Sequence, residues 1–442
     1  MKLIRQLYLR KRLFIILAVI ASLFVISFFL PHLSPFPTAG LAGLLIAFVV
    51  DIAMLYSRNG VFAQRLTGER FSNGDQNLVR VFLENRYSFP AHFGVIDELP
   101  IQFQKRDSWF ESRLAPGAET EWQYFLRPVK RGEYIFGTIN VFAFTGLGLV
   151  MRRYKFDADK SVPVYPSFLQ MRKYQLLAIS NRLSEIGVKK IRKIGHSMEF
   201  EQIRDYVKGD DIRTINWKAT ARRHQLMVNA YTDEKSQQVY CLIDKSRVMK
   251  MPFDGMSLLD YAINASLVLS NTALLKQDKA GIISFAEEIA GIVPAAKKQV
   301  QMNLILEHLY RQKTRYLESD FEKLYATIRN KVNQRSLLIL FTNFESMQAL
   351  QRQLRFLRRI AQQHLLLVVF FENAGLDEII HKPANNLEDI YVKTIAEKFV
   401  FEKKQIVREL QQHGILSVLT TPQNLTIDTV NKYLEIKARQ LL

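Results

Sequence analysis

The chain of 442 residues is 48% hydrophobic and 11% aromatic, which excludes a wholly disordered protein because such a composition can build large cores. Its 61 lysines and arginines outnumber its 42 aspartates and glutamates by 19, so we expect an anionic partner: nucleic acid, phospholipid headgroups or an acidic protein. The single cysteine, Cys241, excludes an intramolecular disulfide and every cysteine-rich metal motif.

Residues 1–60 predict a basic tail followed by a transmembrane helical hairpin. Residues 13–30 carry no charged side chain and, as a helix, would extend about 27 Å, close to the thickness of the hydrocarbon layer. Three prolines between residues 31 and 37 end this helix. A second apolar run continues to Tyr56 and contains one acid, Asp51, near its end. We therefore predict two membrane-spanning helices joined by a short loop.

The charges beside the two runs predict the orientation of the hairpin. Five lysines and arginines precede the first run, none lies in residues 31–40, and three arginines follow the second run within residues 58–70. Because positive charge stays on the cytoplasmic side, both termini and the remaining chain should be cytoplasmic. A cleaved signal peptide is the alternative, but no small-residue cleavage site follows the first run and a second span does.

Residues 61–166 alternate apolar and polar side chains with a period of two. The alternation is clear around Val79, Val81 and Leu83, and glycine-containing turn sequences separate the successive runs. Several short strands with regular turns are typical of a β-sandwich. Since nothing in this segment has catalytic spacing, we predict a β-sandwich domain that serves as a binding platform or spacer.

Residues 167–235 form a charge-dense segment in which basic and acidic side chains alternate. Gly209 and Asp210 indicate a turn, and Asp211 is a possible helix N-cap. The planar forks of Arg204 and Arg213 suit carboxylates or backbone carbonyls, so we predict that they clamp Asp210, Asp211 or a carbonyl. An interdomain clasp is the favoured interpretation, and a ligand site is the alternative.

Residues 236–442 alternate fully apolar runs with amphipathic stretches, which predicts a doubly wound α/β domain. Ligands of such folds bind at the carboxyl ends of the strands. After the first predicted strand, residues 239–243, come Asp244 and Ser246, whose oxygens can ligate Mg²⁺. We therefore place the candidate site at this edge of the sheet.

The central segment resembles a known bacterial family. The resemblance rests on a run that begins at Gly195 and includes Glu199, Arg204, Tyr206, Gly209, Asp210, Asp211, Arg213, Trp217 and Lys218. Residues 128–137 and 146–149 and the two-helix anchor also resemble this family, the bacterial domain-of-unknown-function 58 family. The resemblance extends over nearly the full chain.

This resemblance implies a von Willebrand factor A-like fold for residues 236–442, with a metal-ion-dependent adhesion site. Asp244 and Ser246 match its first two positions, whereas Val248 stands where a second serine is expected. Ser319 is the candidate for the threonine position, and Asn343 stands where a second aspartate would fall. Losing a carboxylate removes charge that a hard cation needs, so we predict a degenerate site at which Mg²⁺ is the only cofactor to consider.

The motif content favours an interaction protein over an enzyme. The sequence contains no phosphate-binding loop, no zinc-protease motif and no nucleophile elbow. The resemblance implies that the protein acts with a MoxR-type AAA+ ATPase on an unknown client protein, from the bacterial cytoplasmic membrane. The docking edge is predicted around Asp244, Ser246 and Asn343, with or without metal.

Two other functions remain as alternatives. The charge of +19 suits nucleic-acid binding, but the basic residues are interleaved with acids, no nucleic-acid motif is present, and attraction to membrane lipids explains part of the charge. A hydrolase hidden in the charge-dense segment lacks a nucleophile–base pair. We therefore predict a non-enzymatic protein with two transmembrane helices, an all-β sandwich and an α/β domain.

Overall fold

The computed structural model of the protein describes residues 6–30, 33–104, 109–157, 159–179, 198–208, 210–233, 236–298, 300–383 and 386–441. The chain divides into two compact units, Met1–Tyr165 and Pro166–Leu442. The first unit contains two apolar helices and a set of antiparallel sheets. The second contains a mainly parallel sheet with helices and a separate β-hairpin.

The first unit begins with two helices, α1 (Lys11–Phe29) and α2 (Pro35–Tyr56). Both are long and apolar enough to cross a membrane, and most of their side chains are exposed. The prediction of two N-terminal apolar helices is therefore confirmed. A third helix of sufficient length and apolarity, in the second unit, is mostly buried and belongs to a protein core.

Among its described residues the first unit also has eleven strands: β1 (Leu7–Leu9), β2 (Val61–Thr67), β3 (Phe71–Ser72), β4 (Asn77–Asn85), β5 (Ala91–Asp97), β6 (Trp109–Leu114), β7 (Glu119–Leu126), β8 (Gly132–Phe136), β9 (Ile139–Phe144), β10 (Val150–Phe156) and β11 (Lys160–Tyr165). They form a five-stranded sheet, β1-β10-β9-β5-β6, and two three-stranded sheets, β2-β4-β7 and β3-β11-β8. The period-two pattern corresponds to alternate burial: Val79, Val81 and Leu83 of β4 are fully buried.

Asp51 of α2 joins the apolar helices to the five-stranded sheet. Its carboxylate accepts hydrogen bonds from the hydroxyl of Thr145 and from the backbone N–H groups of Leu149 (2.9 Å) and Val150 (3.0 Å). Arg152 of β10 makes a second contact with α2, because its guanidinium donates to the carbonyl of Leu55 at 2.7 Å. A buried carboxylate satisfied by three donors fixes α2 against the start of β10.

The part of the second unit that the structure describes contains ten strands: β12 (Met198–Asp205), β13 (Met227–Asp233), β14 (Gln238–Asp244), β15 (Pro252–Phe253), β16 (Met256–Ser257), β17 (Lys279–Phe285), β18 (Ile289–Ala296), β19 (Leu337–Phe341), β20 (Leu365–Phe371) and β21 (Leu416–Thr420). Six of them form one sheet in the order β18-β17-β14-β19-β20-β21. Neighbouring strands of this sheet pair in parallel, except that β18 is antiparallel to β17.

Within the described residues, nine helices accompany these strands: α3 (Phe168–Ile179), α4 (Trp217–Arg223), α5 (Leu258–Leu275), α6 (Gln301–Tyr310), α7 (Phe321–Lys331), α8 (Met347–Gln363), α9 (Ala374–His381), α10 (Leu387–Gln412) and α11 (Leu425–Ala438). Alternate residues of β14 enter two different cores. Cys241 and Ile243 pack in the core that contains residues of α5, α6 and α11, whereas Tyr240 and Leu242 pack in the one that contains residues of α7, α8 and α10. The sheet is thus covered on both faces, which explains its continuous apolar strands.

The register of the sheet brings two strand ends together. Ile243 of β14 pairs with Phe341 of β19, and the two strands are parallel. Asp244 and Thr342 follow these two residues in the sequence. The carboxyl ends of β14 and β19 therefore place their next side chains beside each other.

Candidate functional site

Asp244 is the centre of a hydrogen-bonded cluster at the carboxyl edge of the sheet. It is the last residue of β14, and only 1% of its surface is exposed. One carboxylate oxygen, Oδ1, accepts hydrogen bonds from the backbone N–H of Ser246 (2.9 Å) and from the hydroxyl of Ser319. The other oxygen, Oδ2, accepts from the hydroxyl of Thr342 at 2.6 Å. The structure thus brings together three residues singled out from the sequence and one that was not.

Thr342 is the member of the cluster that the sequence interpretation missed. The sequence interpretation gave the threonine position to Ser319. Ser319 does lie in the cluster, so the hydroxyls of Ser319 and Thr342 both donate to the carboxylate of Asp244. The sequence did contain a signal for Thr342, because this residue directly follows the apolar run that forms β19. A hydroxyl one residue beyond a strand adjacent to β14 has to lie near Asp244, once the strand order is known.

Burial dominates the electrostatics of this carboxyl group. Removal from water raises the pKa of Asp244 above its ordinary value, and the hydrogen bonds from Ser319, Thr342 and Ser246 act in the opposite direction. Every oxygen of the group already has a partner. The carboxylate of Asp244 therefore has the surroundings of a structural anchor for the turn after β14, and not those of a catalytic acid.

Asn343 lies beside this cluster and is held by a lysine from a distant helix. Its Oδ1 accepts a hydrogen bond of 2.7 Å from the ammonium of Lys403, on α10, which also donates to the carbonyl of Phe344 at 2.5 Å. Asn343 is 8% exposed. Burial lowers the pKa of Lys403 to about 8, although the nearby carboxylate of Glu345 acts to raise it.

The residues at this edge do not fit a Mg²⁺ site. Mg²⁺ needs six oxygen ligands and normally one or two carboxylates, but Asp244 is the cluster's only acid. The oxygen of Asn343 is taken by the ammonium of Lys403, which a cation would have to displace. Over the ranges that the structure describes, no group of three or more histidine, cysteine, aspartate or glutamate side chains is arranged to hold a metal ion.

The charge-dense segment forms the hairpin β12–β13 and the connection between its strands. Arg204 makes a bidentate ion pair with Asp210, with its two terminal nitrogens 2.9 and 2.6 Å from the carboxylate oxygens. This contact raises the pKa of Arg204 and lowers that of Asp210. The same carboxylate accepts from the backbone N–H of Val207, so the pair fixes the first turn of the connection.

Two side-chain caps fix the rest of this connection. Asp211 accepts a hydrogen bond from the backbone N–H of Arg213 at 3.0 Å and begins a short 3₁₀ turn. Asn216 accepts from the N–H of Ala219 at 3.0 Å, which caps α4, and donates to Asn229 of β13 at 2.8 Å. Each turn of the connection therefore has its own anchor.

The structure differs from the predicted clasp at Arg213. This arginine holds no carboxylate or carbonyl among the described residues, because its exposed side chain makes no hydrogen bond there. Of the other residues that carry the resemblance, Trp217 is 67% exposed, Lys218 is exposed and Tyr206 is half-buried. Gly209 and the side chain of Glu199 lie outside the described residues.

The fold and the site define a mixed α/β protein with an apolar helical pair, antiparallel sheets and a hydrogen-bonded strand-end cluster. Residues 202–376 match the family model described as "Protein of unknown function DUF58". This match confirms, over residues 202–376, the resemblance stated above.

A curated relative is the "Uncharacterized protein YeaD" of Bacillus subtilis (strain 168), which is 28% identical over 244 residues. The match covers 53% of this chain and 58% of that protein, so the chain spans little more than half of the relative's length.

Solved structures show only weak similarity. BatB from Bacteroides thetaiotaomicron, a conserved hypothetical protein, is 13% identical with a TM-score of 0.30 and covers 46% of this chain and 100% of that one. Proximal thread matrix protein 1 from the mussel byssus is 10% identical with a TM-score of 0.25 and covers 44% of this chain and 46% of that one.

Proposed function

We propose that this protein is a membrane-anchored, non-enzymatic interaction protein that acts with a MoxR-type AAA+ ATPase on a client protein. In this proposal α1 and α2 cross the bacterial cytoplasmic membrane, and the positive flanks keep both termini and the body of the chain in the cytoplasm. The α/β unit serves as a von Willebrand factor A-like binding domain. Membership of the family and the apolar helices support this proposal.

The observation that carries the proposal is the overhang of α10 at the strand-end edge. The helix has 26 residues and is about 39 Å long, whereas the seven residues of β20 span about 23 Å. Lys403 contacts Asn343 and Phe344, just beyond the end of β19. The sixteen positions that precede Lys403 in α10 form about 24 Å of helix beyond this contact. α9 packs against α10, and Ala396 in this part is buried.

The overhanging part of α10 exposes an apolar face. Ile406 and Leu410 are fully buried against the sheet, and helical spacing continues their face through Phe399, Ile395 and Val392. These last three side chains are exposed, as are Leu387 and Tyr391 at the tip. Contiguous exposed apolar side chains on a folded unit mark a protein-binding surface. We assign this face to the ATPase.

The buried polar groups of the sheet support a non-enzymatic role. Ser284 lies 3.1 Å from the Nε2 of His308, a spacing compatible with a nucleophile and its base. Ser284, however, is completely buried, and burial together with Lys245 lowers the pKa of His308. A substrate has no access to this hydroxyl, so the contact serves packing.

Co-purification tests the proposal. The full chain is expressed with the MoxR-type ATPase of the same cell, solubilised from membranes and recovered by an affinity tag. Phe399→Asp should reduce the recovered ATPase strongly, because a charge in the apolar face opposes docking. Val300→Asp is the matched control, since Val300 is an exposed aliphatic residue of the same unit outside α10. Equal recovery with both variants would refute the assignment of α10.

One observation favours nucleic-acid binding as a second candidate. Arg352, Arg355, Arg358 and Arg359 of α8 are all exposed, and within the described ranges none of them has an ion pair. Such a cationic helix face suits phosphates. Binding of the full chain to duplex DNA across a salt series tests this candidate: a steep salt dependence, abolished when these arginines are replaced by glutamine, would support it.

A further inference from the structure

The connection between β12 and β13 presents a second, separate surface. Its ends meet where the backbone N–H of Tyr206 donates to the carbonyl of Leu226 at 2.9 Å. The exposed side chains that it carries define what we call the hairpin-tip surface: Ile212, Arg213, Trp217, Lys218 and Arg222. None of these residues belongs to the strand-end cluster or to α10.

Apolar side chains are unusually exposed on this surface. Ile212 is 70% exposed and Trp217 is 67% exposed. Tryptophan is largely buried in most proteins, and exposed tryptophans with neighbouring arginines are enriched at the energetic centres of protein interfaces. The surface therefore has the composition of a binding site.

The charge of the connection defines the chemistry of the partner. Residues 204–226 contain six lysines and arginines against three aspartates, and one aspartate is already paired with Arg204. Within the described part of the chain, the side chains of Arg213, Lys218 and Arg222 make no hydrogen bond or ion pair. These cations are available to carboxylates of another molecule.

The polar framework holds this surface in one geometry. The Arg204–Asp210 ion pair, the Asp211 and Asn216 caps and the hydrogen bond from the Met227 N–H to the hydroxyl of Thr220 (3.0 Å) each anchor one part of the connection. A preorganised surface loses less conformational entropy on binding. Simple adhesion to lipid headgroups needs no such fixed geometry, whereas a shaped protein surface can match it.

We propose that the hairpin-tip surface binds an acidic segment of another protein, with Trp217 and Ile212 in an apolar recess of the partner and Arg213, Lys218 and Arg222 on its carboxylates. This site is independent of the docking of the ATPase on α10. Either proposal can therefore fail without the other, because the substitutions that test them lie on different elements.

Photo-crosslinking in cells tests this proposal on the full, membrane-bound chain. A benzoylphenylalanine replaces Ile212, with the same group at exposed Val300 as the control position. The captured segment is mapped, synthesised as a peptide and titrated against the purified full chain. We expect a net acidic segment captured only from position 212. Its affinity should fall about tenfold in Trp217→Ala and at least tenfold in the Arg213→Glu/Lys218→Glu variant.

The matched control for charge is Arg355→Glu/Arg358→Glu on α8, which should leave the affinity unchanged. A captured segment that is neutral or basic would overturn the proposal. So would crosslinks to lipid or nucleic acid alone, no crosslink above the Val300 control, or an affinity that both charge-reversed variants reduce equally. Near-ultraviolet circular dichroism of each variant confirms that the hairpin remains folded.

Discussion

Lys403 donates a hydrogen bond of 2.7 Å to Asn343, at the edge of the sheet where the sequence suggested a metal ligand. Lys403 lies on α10, sixty residues further along the chain than Asn343, and it supplies a positive charge beside the strand-end cluster. The ammonium also lies 5.5 Å from the centre of the Phe370 ring. Because an amide, a carbonyl and an aromatic face satisfy this cation, we expect this edge of the sheet to need no divalent ion.

The buried ammonium predicts that stability rises with pH in the alkaline range. Burial lowers the pKa of Lys403 from 10.5 to about 8, so above pH 8 the folded chain binds fewer protons than the unfolded chain. The free energy of unfolding should increase between pH 8 and 10.5, by roughly 1–3 kcal/mol. Denaturant unfolding of the full chain in detergent measures it. In Lys403→Met this part of the increase should be absent, and an unchanged pH profile would contradict the prediction.

Added Mg²⁺ should leave the thermal stability of the protein unchanged. A ligand that binds only the folded state raises the melting temperature by mass action. The donor set has one carboxylate, Asp244, and its oxygens already have partners. Thermal unfolding with millimolar Mg²⁺, compared with the same concentration of a chelator, checks the prediction. A reproducible upward shift with Mg²⁺ would show that the cluster is a metal site.

Removing the carboxylate of Asp244 should destabilise the α/β unit. In Asp244→Ala the buried hydroxyl of Thr342, the buried N–H of Ser246 and the half-buried hydroxyl of Ser319 lose their acceptor. We expect a loss of about 2–4 kcal/mol in the free energy of unfolding and a weaker recovery of the ATPase. Asp244→Asn keeps one acceptor oxygen and the shape of the side chain. Equal stability losses in the two variants would contradict this role.

Asp51 should be essential for joining the apolar helices to the sheet. Asp51→Ala leaves the Thr145 hydroxyl and the N–H groups of Leu149 and Val150 without their common acceptor. We expect the first unit to lose about 2–4 kcal/mol and the turn at residues 145–150 to become accessible to protease. Limited proteolysis in detergent checks this, with Asp51→Asn as the conservative control. If the turn stayed as protected from protease in Asp51→Ala as in the unmodified chain, this role of Asp51 would be contradicted.

The sequence was informative where a pattern is local. The parallel strands have uninterrupted apolar runs, and the first predicted strand, residues 239–243, lies within β14. The antiparallel edge strand β18 contains Gly291 and Pro294 and has exposed positions, so it lacks such a run and was not predicted. The mixed α/β class is confirmed, and the von Willebrand factor A-like assignment stays a proposal.

The site was only partly accessible from sequence, since its remaining members depend on long-range contacts. Asp244, Ser246 and Ser319 were singled out from their types and spacing. Thr342 joins them because β19 lies next to β14, and Lys403 joins them because the long helix α10 reaches this edge of the sheet. No local sequence pattern encodes either relationship. The exposure of Trp217 was likewise not predictable, because tryptophan side chains are highly buried on average.

The most direct test of the central claim is the dissociation constant between the MoxR-type ATPase and the full chain held in lipid nanodiscs. We predict binding in the micromolar range or tighter, weakened about tenfold or more by Ile395→Asp and unaffected by Val300→Asp. No measurable binding of the unmodified chain, or equal constants for the two variants, would contradict the proposal that this protein anchors the ATPase through α10.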